Sequence, residues 1–310
     1  MAKVISLGLL LADVVGKPIE GFPAKGTLAK VDKMELHVGG CAANTAISLA
    51  KLGVSVGAVG MVGTDGFGDF IVQTLQKHGV ETVGVARSTG PESTSATMVA
   101  VDSAGERTFL HYTGVHSQFR KEDIYWEVID EAEILHVAGP FLMTNYIGQD
   151  NADVLRWAKE QGMTTTLDTV WDFTDRWMSV LKPCLPYVDY ALPSLEEARK
   201  ITGRDEPRDI AQVFLDEGVK VVGIKMGGEG SYARTAAGEE FAAKPLPVNA
   251  IDSLGAGDAW AAGFLCGLTQ GWDLEKTLRF ANAVGACCVQ SLGATTGILS
   301  FEKTVEMAFG

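Results

Sequence analysis

Apolar residues along this chain follow two rhythms: short solid runs of strand length, and longer stretches in which they recur every three or four positions. Val4 to Leu11 is a solid run and reads as a buried strand. Gly39 to Leu52 opens on a glycine turn and continues as an amphipathic helix. Ser55 to Gly60 is a strand, Phe67 to His78 a helix capped by Asp65 or Thr64, and Thr82 to Ala86 a strand. The alternation continues through Glu133 to Ala138, Asn151 to Gln161, Thr164 to Asp168, Arg176 to Val188, Tyr190 to Leu192, Leu195 to Thr202, Ile210 to Glu217 and Val219 to Lys225. Such an order predicts an α/β fold, a mostly parallel sheet with helices on both faces. Two stretches break the rhythm. Asp13 to Gly39 is rich in Gly, Pro and Lys without a strong period, and Ser93 to Tyr112 reads as two strands around Ser103-Ala104-Gly105. They read equally as surface loops or as something more organised, such as a hairpin.

Composition narrows the class. A chain of 310 residues can bury one large core and carry a small appendage, so a single main domain over residues 1–310 is expected. The net charge of −13 argues against nucleic-acid or anionic-membrane partners. No apolar run approaches a membrane span. Met1 to Leu11 is short, carries one Lys and lacks a small-residue cleavage site, so it reads as a strand and the protein is expected in the cytoplasm. Five cysteines (Cys41, Cys184, Cys266, Cys287 and Cys288) support neither a disulfide framework nor a zinc site.

Candidate chemistry centres on Asp252-Ser253-Leu254-Gly255-Ala256-Gly257-Asp258, which runs into the apolar stretch Ala259 to Leu268. Glycines leave backbone N–H groups bare where a helix begins, and such a terminus attracts a phosphoryl group. Asp258 in the first turn would repel phosphate but can accept a proton from a hydroxyl attacking it. Taken alone, the tetrad Gly-Ala-Gly-Asp reads equally as a glycine turn with a capping acid. The full stretch together with Gly39-Gly40-Cys41-Ala42-Ala43-Asn44-Thr45-Ala46 closely resembles the two signatures of the ribokinase-like (PfkB) carbohydrate kinases, and the resemblance covers nearly the whole chain.

That resemblance implies a three-layer α/β/α fold whose small β-sheet lid, from about 14–38 and 93–113, closes over the sugar and pairs with a second subunit as a homodimer. It implies ATP and Mg²⁺ as cofactors, Asp258 as general base, and the amides of Gly255, Ala256 and Gly257 as the anion hole. It places Asp13, Gly40 and Asn44 on the sugar hydroxyls; the residues alone also allow Asp13 as a turn residue and Gly40 as a helix cap. On the nucleotide side it implies Lys225, Gly227 and Gly230, where a plain hairpin turn is the other reading, and Asn282, where tight helix packing explains the sequence equally. Ser194 and Glu197 match an N-x-x-E element, with Glu197 acting through water on Mg²⁺. A K⁺ site is implied at Asp252 and the carbonyls of Leu254, Cys288, Ser291 and Gly293, unless Asp252 simply caps its turn.

Departures from the family pattern shape the substrate reading. Ser253 and Leu254 stand where Thr is usual, Leu11 and Cys41 where ribokinases have Asn and Lys, and no Glu lies near Gly139-Pro140. Fructokinases and ketodeoxygluconate kinases carry D-x-N-x-R where this chain has Asp168-Thr169-Val170-Trp171-Asp172. An acid at Asp172 in place of Arg disfavours acidic sugars, if Asp168 and Asp172 face the substrate; otherwise Asp172 caps the helix expected from Arg176. The chain lacks the P-loop, protein-kinase and G-x-S-x-G motifs. A kinase of a neutral sugar is expected; a nucleoside kinase or a catalytically idle sugar- or nucleotide-binding sensor are the alternatives.

Overall fold

The computed structural model describes residues 2–310; Met1, the first residue of the apolar N-terminal run, lies outside them. In chain order the strands are β1 (Val4–Gly8), β2 (Leu11–Lys17), β3 (Lys33–Gly39), β4 (Val56–Gly63), β5 (Val85–Ser88), β6 (Ala96–Val101), β7 (Arg107–Tyr112), β8 (Ile134–Ala138), β9 (Thr164–Asp168), β10 (Tyr190–Ala191), β11 (Val221–Lys225), β12 (Ser231–Thr235) and β13 (Glu240–Ala243). The helices are α1 (Cys41–Lys51), α2 (Gly66–Lys77), α3 (Trp126–Ile129), α4 (Gln149–Glu160), α5 (Met178–Leu181), α6 (Leu195–Thr202), α7 (Pro207–Asp216), α8 (Ala256–Thr269), α9 (Leu274–Val289) and α10 (Phe301–Phe309).

Nine strands form the large sheet in the order β13-β12-β11-β10-β9-β8-β1-β4-β5. Only the pairings β11–β12 and β12–β13 at one edge are antiparallel, so β12 alone runs against the other strands. The solid apolar runs become strands buried on both faces, as β1 and β4 are throughout. Alternate residues then serve opposite layers: Ile5 and Leu7 pack into one core, Val4 and Val56 into the other beside α1 and α8. From β1 the chain proceeds to β4 and β5 on one side and later to β8, β9, β10 and β11 on the other, so the order reverses between β1 and β8. Open α/β sheets bind ligands at the carboxyl ends beside such a reversal.

The first strand is shorter than its apolar run. It ends at Gly8, and Leu11 already belongs to a separate four-stranded sheet ordered β3-β2-β6-β7. The two stretches that break the rhythm therefore supply this second sheet, the first through its two ends with residues 18–32 as an irregular connection. Asp102 shapes the β6–β7 turn by accepting from the amides of Ala104 and Glu106. Arg176 to Val188 is not one helix but the single turn of α5 and a 3₁₀ turn at Leu185–Tyr187, because Pro183 and Pro186 withhold amide donors where a helix needs them.

Helix α8 is apolar all round because it is sandwiched. Gly263 and Gly267 face Ala281, Val284 and Thr277 of α9, where a Cβ would collide, while Thr45 of α1 donates to the Asp258 carbonyl at 3.3 Å. The small residues of α8 thus let three helices approach closely and point two of their N-termini, those of α1 and α8, at the same end of the sheet.

Candidate active site

Two glycines aim those N-termini. Gly40 caps α1 at φ 92°, and a Cβ there would strike the Leu9 carbonyl; Gly255 caps α8 at φ 73°, against Ala294. Only glycine fits either place. Helix α8 has no side-chain cap; the Ala256 amide turns back to the Ser253 carbonyl at 3.2 Å, while those of Gly257 and Asp258 open the helix beside a crevice of about 750 Å³ lined by Gly255, Ala256, Gly257, Asp258, Lys225 and Glu197 among others.

Asp258 stands in the first turn of α8. Its Oδ2 accepts from Asn44 Nδ2 of α1 at 2.8 Å, across 214 positions of sequence. Enclosure by protein pushes its carboxyl up to about 6, against the Asn44 hydrogen bond, Lys225 and the Cys41 thiol, which favour the ion. The other face of Asn44 leaves Oδ1 buried without a protein partner. Asp13, on β2 of the small sheet, is likewise pushed up to about 6 by burial, in spite of a hydrogen bond from Thr97. Register puts Asp13 in one row with His37, Thr97 and His111. Thr97 Oγ1 lies 3.1 Å from His111 Nδ1, and His111 Nε2 is buried without a protein partner. Asn44 and the Asp13 row therefore carry unpaired polar atoms of the kind that hydroxyl groups satisfy. His116 is not part of this: it is fully buried, bonded to the Leu10 backbone and held near 3 by that burial.

At the ends of β9 and β11, Lys225 Nζ donates to Asp168 Oδ1 at 2.5 Å. Burial opposes the lysine charge, but Asp168, Glu197 and Asp258 outweigh it and hold the ammonium above its ordinary range. The same ammonium lies beside Gly257, 3.4 Å from where a Cβ would stand. Glu197 and Ser194 form a capping box on α6, and Thr169 Oγ1 donates to Glu197 Oε2 at 2.7 Å. Gly227 and Gly230 line the crevice as well.

Three expected site residues are differently engaged. Asp172 is buried as a turn cap: its carboxylate accepts from the amides of Thr174, Arg176 and Trp177 and from Thr174 Oγ1, and these bonds hold it below its ordinary range although burial alone would raise it. It does not line the crevice, so it gives no ground for rejecting acidic sugars. Asn282 spends its amide on Trp260 Nε1 and on the carbonyls of Ala243 and Lys244, and so shapes the crevice wall without offering a free donor. Asp252 accepts from the amides of Leu254 and Gly293 and pairs with Arg107 at 2.5 Å. The Cys288 carbonyl accepts from the Ser291 amide, and the Leu254 carbonyl faces the Cys288 thiol. With its carboxylate taken by a guanidinium, this donor set does not fit K⁺. Thr169, His37, Thr97 and Arg107 carry no local sign of a role in the sequence, since each gains its meaning only through a distant partner.

Comparisons with known proteins bear on the family and the fold. The sequence profile of the pfkB family carbohydrate kinases matches residues 1–300. The chain is 31% identical over 283 residues to a 5-dehydro-2-deoxygluconokinase of Clostridium perfringens, covering 87% of this chain and 83% of that one. It is 28% identical over 286 residues to the 2-dehydro-3-deoxygluconokinase of Bacillus subtilis, covering 90% and 88%. The structure of Arabidopsis thaliana ribokinase complexed with ribose and ATP superposes with a TM-score of 0.86 at 25% identity, over 100% of both chains.

Proposed function

The chain belongs to the pfkB family of carbohydrate kinases, and on that premise we propose that it transfers the γ-phosphate of ATP to a hydroxyl of a sugar held between Asp258 and the small sheet. Asp258 carries the reading: a carboxyl raised to about 6, at an uncapped helix terminus, is ionised at neutral pH yet basic enough to take a hydroxyl proton as the O–P bond forms. Asn44 fixes the orientation of that carboxylate. The amides of Gly257 and Asp258 would face the charge that spreads over the phosphoryl oxygens, with the Lys225 ammonium beside them, while the Ala256 amide is held by the Ser253 carbonyl. Asp13, Asn44 and His111 receive sugar hydroxyls. The small sheet acts as a lid that keeps water from competing as acceptor.

Mg²⁺ fits the donor set. It keeps most of its waters and is usually held by one or two carboxylates plus substrate phosphates, which matches Glu197, the crevice acid other than Asp258, steadied by Thr169 and the Ser194 amide. The ion would supply charge neutralisation across the phosphates.

On the acceptor, both cations described in the site, Lys225 and Arg107, are already paired with carboxylates, which favours a neutral sugar. A ketodeoxy sugar acid is the second reading, favoured by the activities named for the relatives. ADP release from ATP over neutral sugars, ketodeoxy sugar acids and nucleosides decides among these. Release with none of them, in the presence of Mg²⁺, would sink the kinase reading.

The outward face of the lid supports a homodimer. Leu36, Val14, Met98 and Leu110 align in one row across β3-β2-β6-β7, and Leu110 is half exposed. Apolar rows of this kind on a sheet are usually covered. Sedimentation should give twice the chain mass, and Leu110→Lys should return the monomer; a wild-type monomer at micromolar concentration would count against the pairing.

A further inference from the structure

Lid and catalytic loop meet at one ion pair. Arg107, the first residue of β7, reaches from the small sheet to place Nη2 at 2.5 Å from Asp252 Oδ1, with the side chains 17% and 1% exposed. That carboxylate already organises two other segments. Oδ1 accepts from the Leu254 amide at 2.7 Å and Oδ2 from the Gly293 amide at 2.8 Å. Leu254 leads directly into the Gly255 cap of α8, and Gly255 packs against Ala294, the neighbour of Gly293. One acid thus ties the lid to the segment that leads into α8 and to the segment that follows α9. Burial alone would raise this carboxyl; Arg107 and the two amides outweigh it and keep it ionised.

A buried ionised carboxylate requires a cation. We propose that Arg107 is that cation: a lid-borne guanidinium standing where a monovalent metal ion would otherwise sit, so that the anion-hole loop is fixed when the lid is down. This rests on the kinase reading for its consequence in turnover, though not for its binding behaviour. Arg107 touches no reacting atom in this arrangement. It is a positioning residue, acting through Asp252 and the Leu254 amide. Its charge is permanent and its donors are directional, so no dissolved ion needs to be captured at each turnover.

The test uses the full chain with K⁺ alone as probe. Thermal midpoints are compared in KCl and tetramethylammonium chloride at equal ionic strength, together with ADP release from ATP in the presence of D-ribose, D-fructose and 2-dehydro-3-deoxygluconate. Wild type should be indifferent to K⁺ in both. Arg107→Gln, which keeps the three side-chain carbons but neither the charge nor the full reach, should lose about 10²-fold in turnover through misplacement of the loop. K⁺ should then restore most of that turnover and raise the variant's midpoint, as a ligand binding only the folded state does. Arg107→Lys, which keeps a cation, should remain indifferent to K⁺. A wild type stimulated or stabilised by K⁺ would overturn the proposal. So would an Arg107→Gln variant whose midpoint ignores K⁺, or one that loses only the acidic sugar, since the arginine would then serve the substrate. Absence of turnover in wild type would strike the kinase reading alone, with the midpoints still deciding the role of Arg107.

Discussion

Asp258→Asn is expected to lower phosphoryl transfer by about 10²–10⁴-fold while leaving ATP binding nearly unchanged. The substitution removes proton acceptance and keeps the backbone amides of α8, which hold the phosphates in the proposed reaction. An asparagine oxygen can still receive the Asn44 amide, so the geometry around residue 258 survives. Wild-type turnover should fall as the pH drops through about 6, where the carboxyl takes up its proton. The variant's residual rate should lose that dependence. Full turnover in Asp258→Asn would show that the acceptor hydroxyl needs no base here.

The same substitution should make the protein more stable at pH 7.5. Folding raises the Asp258 carboxyl from 3.8 to about 6, chiefly by enclosing it. The folded chain therefore holds this proton more tightly than the unfolded chain. The stability it contributes is complete below 3.8 and is lost as the pH rises through about 6. Above that value the ionised carboxylate is a cost of activity, and the neutral amide of the variant avoids it. A thermal midpoint higher by roughly 2–4 °C at pH 7.5, with the gain vanishing toward pH 4, is the expected signature. A midpoint lowered at pH 7.5 would mean that Asn44 and Lys225 together stabilise the ion more than burial opposes it.

What could be read along the chain was what the chain encodes locally. The glycine at 40 and the pair at 255 and 257 announce helix termini by composition, and Asp258 follows in the first turn, so the glycine-capped start of α8 with its acid is visible in a window of a few residues. The mainly apolar runs that became β1, β4 and β8 were equally visible, because burial on both faces leaves few polar positions, whereas β9 is as buried but mostly threonine. Charge pairing is not local. Arg107 gains its meaning from Asp252, and Lys225 from Asp168, 57 positions away, because the strand order brings β9 and β11 to one edge. Asp172 shows the opposite limit. An acid just past a strand end looks the same whether it faces a crevice or closes its own turn, and the amides of Thr174, Arg176 and Trp177 decided for the turn.

Lys225→Met separates two duties that one ammonium performs. With side chains 10% and 2% exposed, Lys225 and Asp168 neutralise each other out of water, and removing one partner of such a pair costs about 3–5 kcal/mol. Folding stability should therefore fall by about that amount at neutral pH. Adding Asp168→Asn should recover most of it, since no charge is then left stranded. Turnover should behave differently. The ammonium lies beside Gly257, next to the amides proposed to receive the transferring group, and charge delivered there would be stabilising chiefly as the phosphoryl oxygens become more negative in the transition state. Lys225→Met should lower kcat by about 10²–10³-fold, and the double variant should stay as slow while regaining its stability. Asp168→Asn alone supplies the control, because it frees Lys225 without removing it and should retain far more turnover than either variant lacking the lysine. If kcat returned together with stability in the double variant, Lys225 would be no more than the counterion of Asp168, and the anion hole would consist of the α8 amides alone.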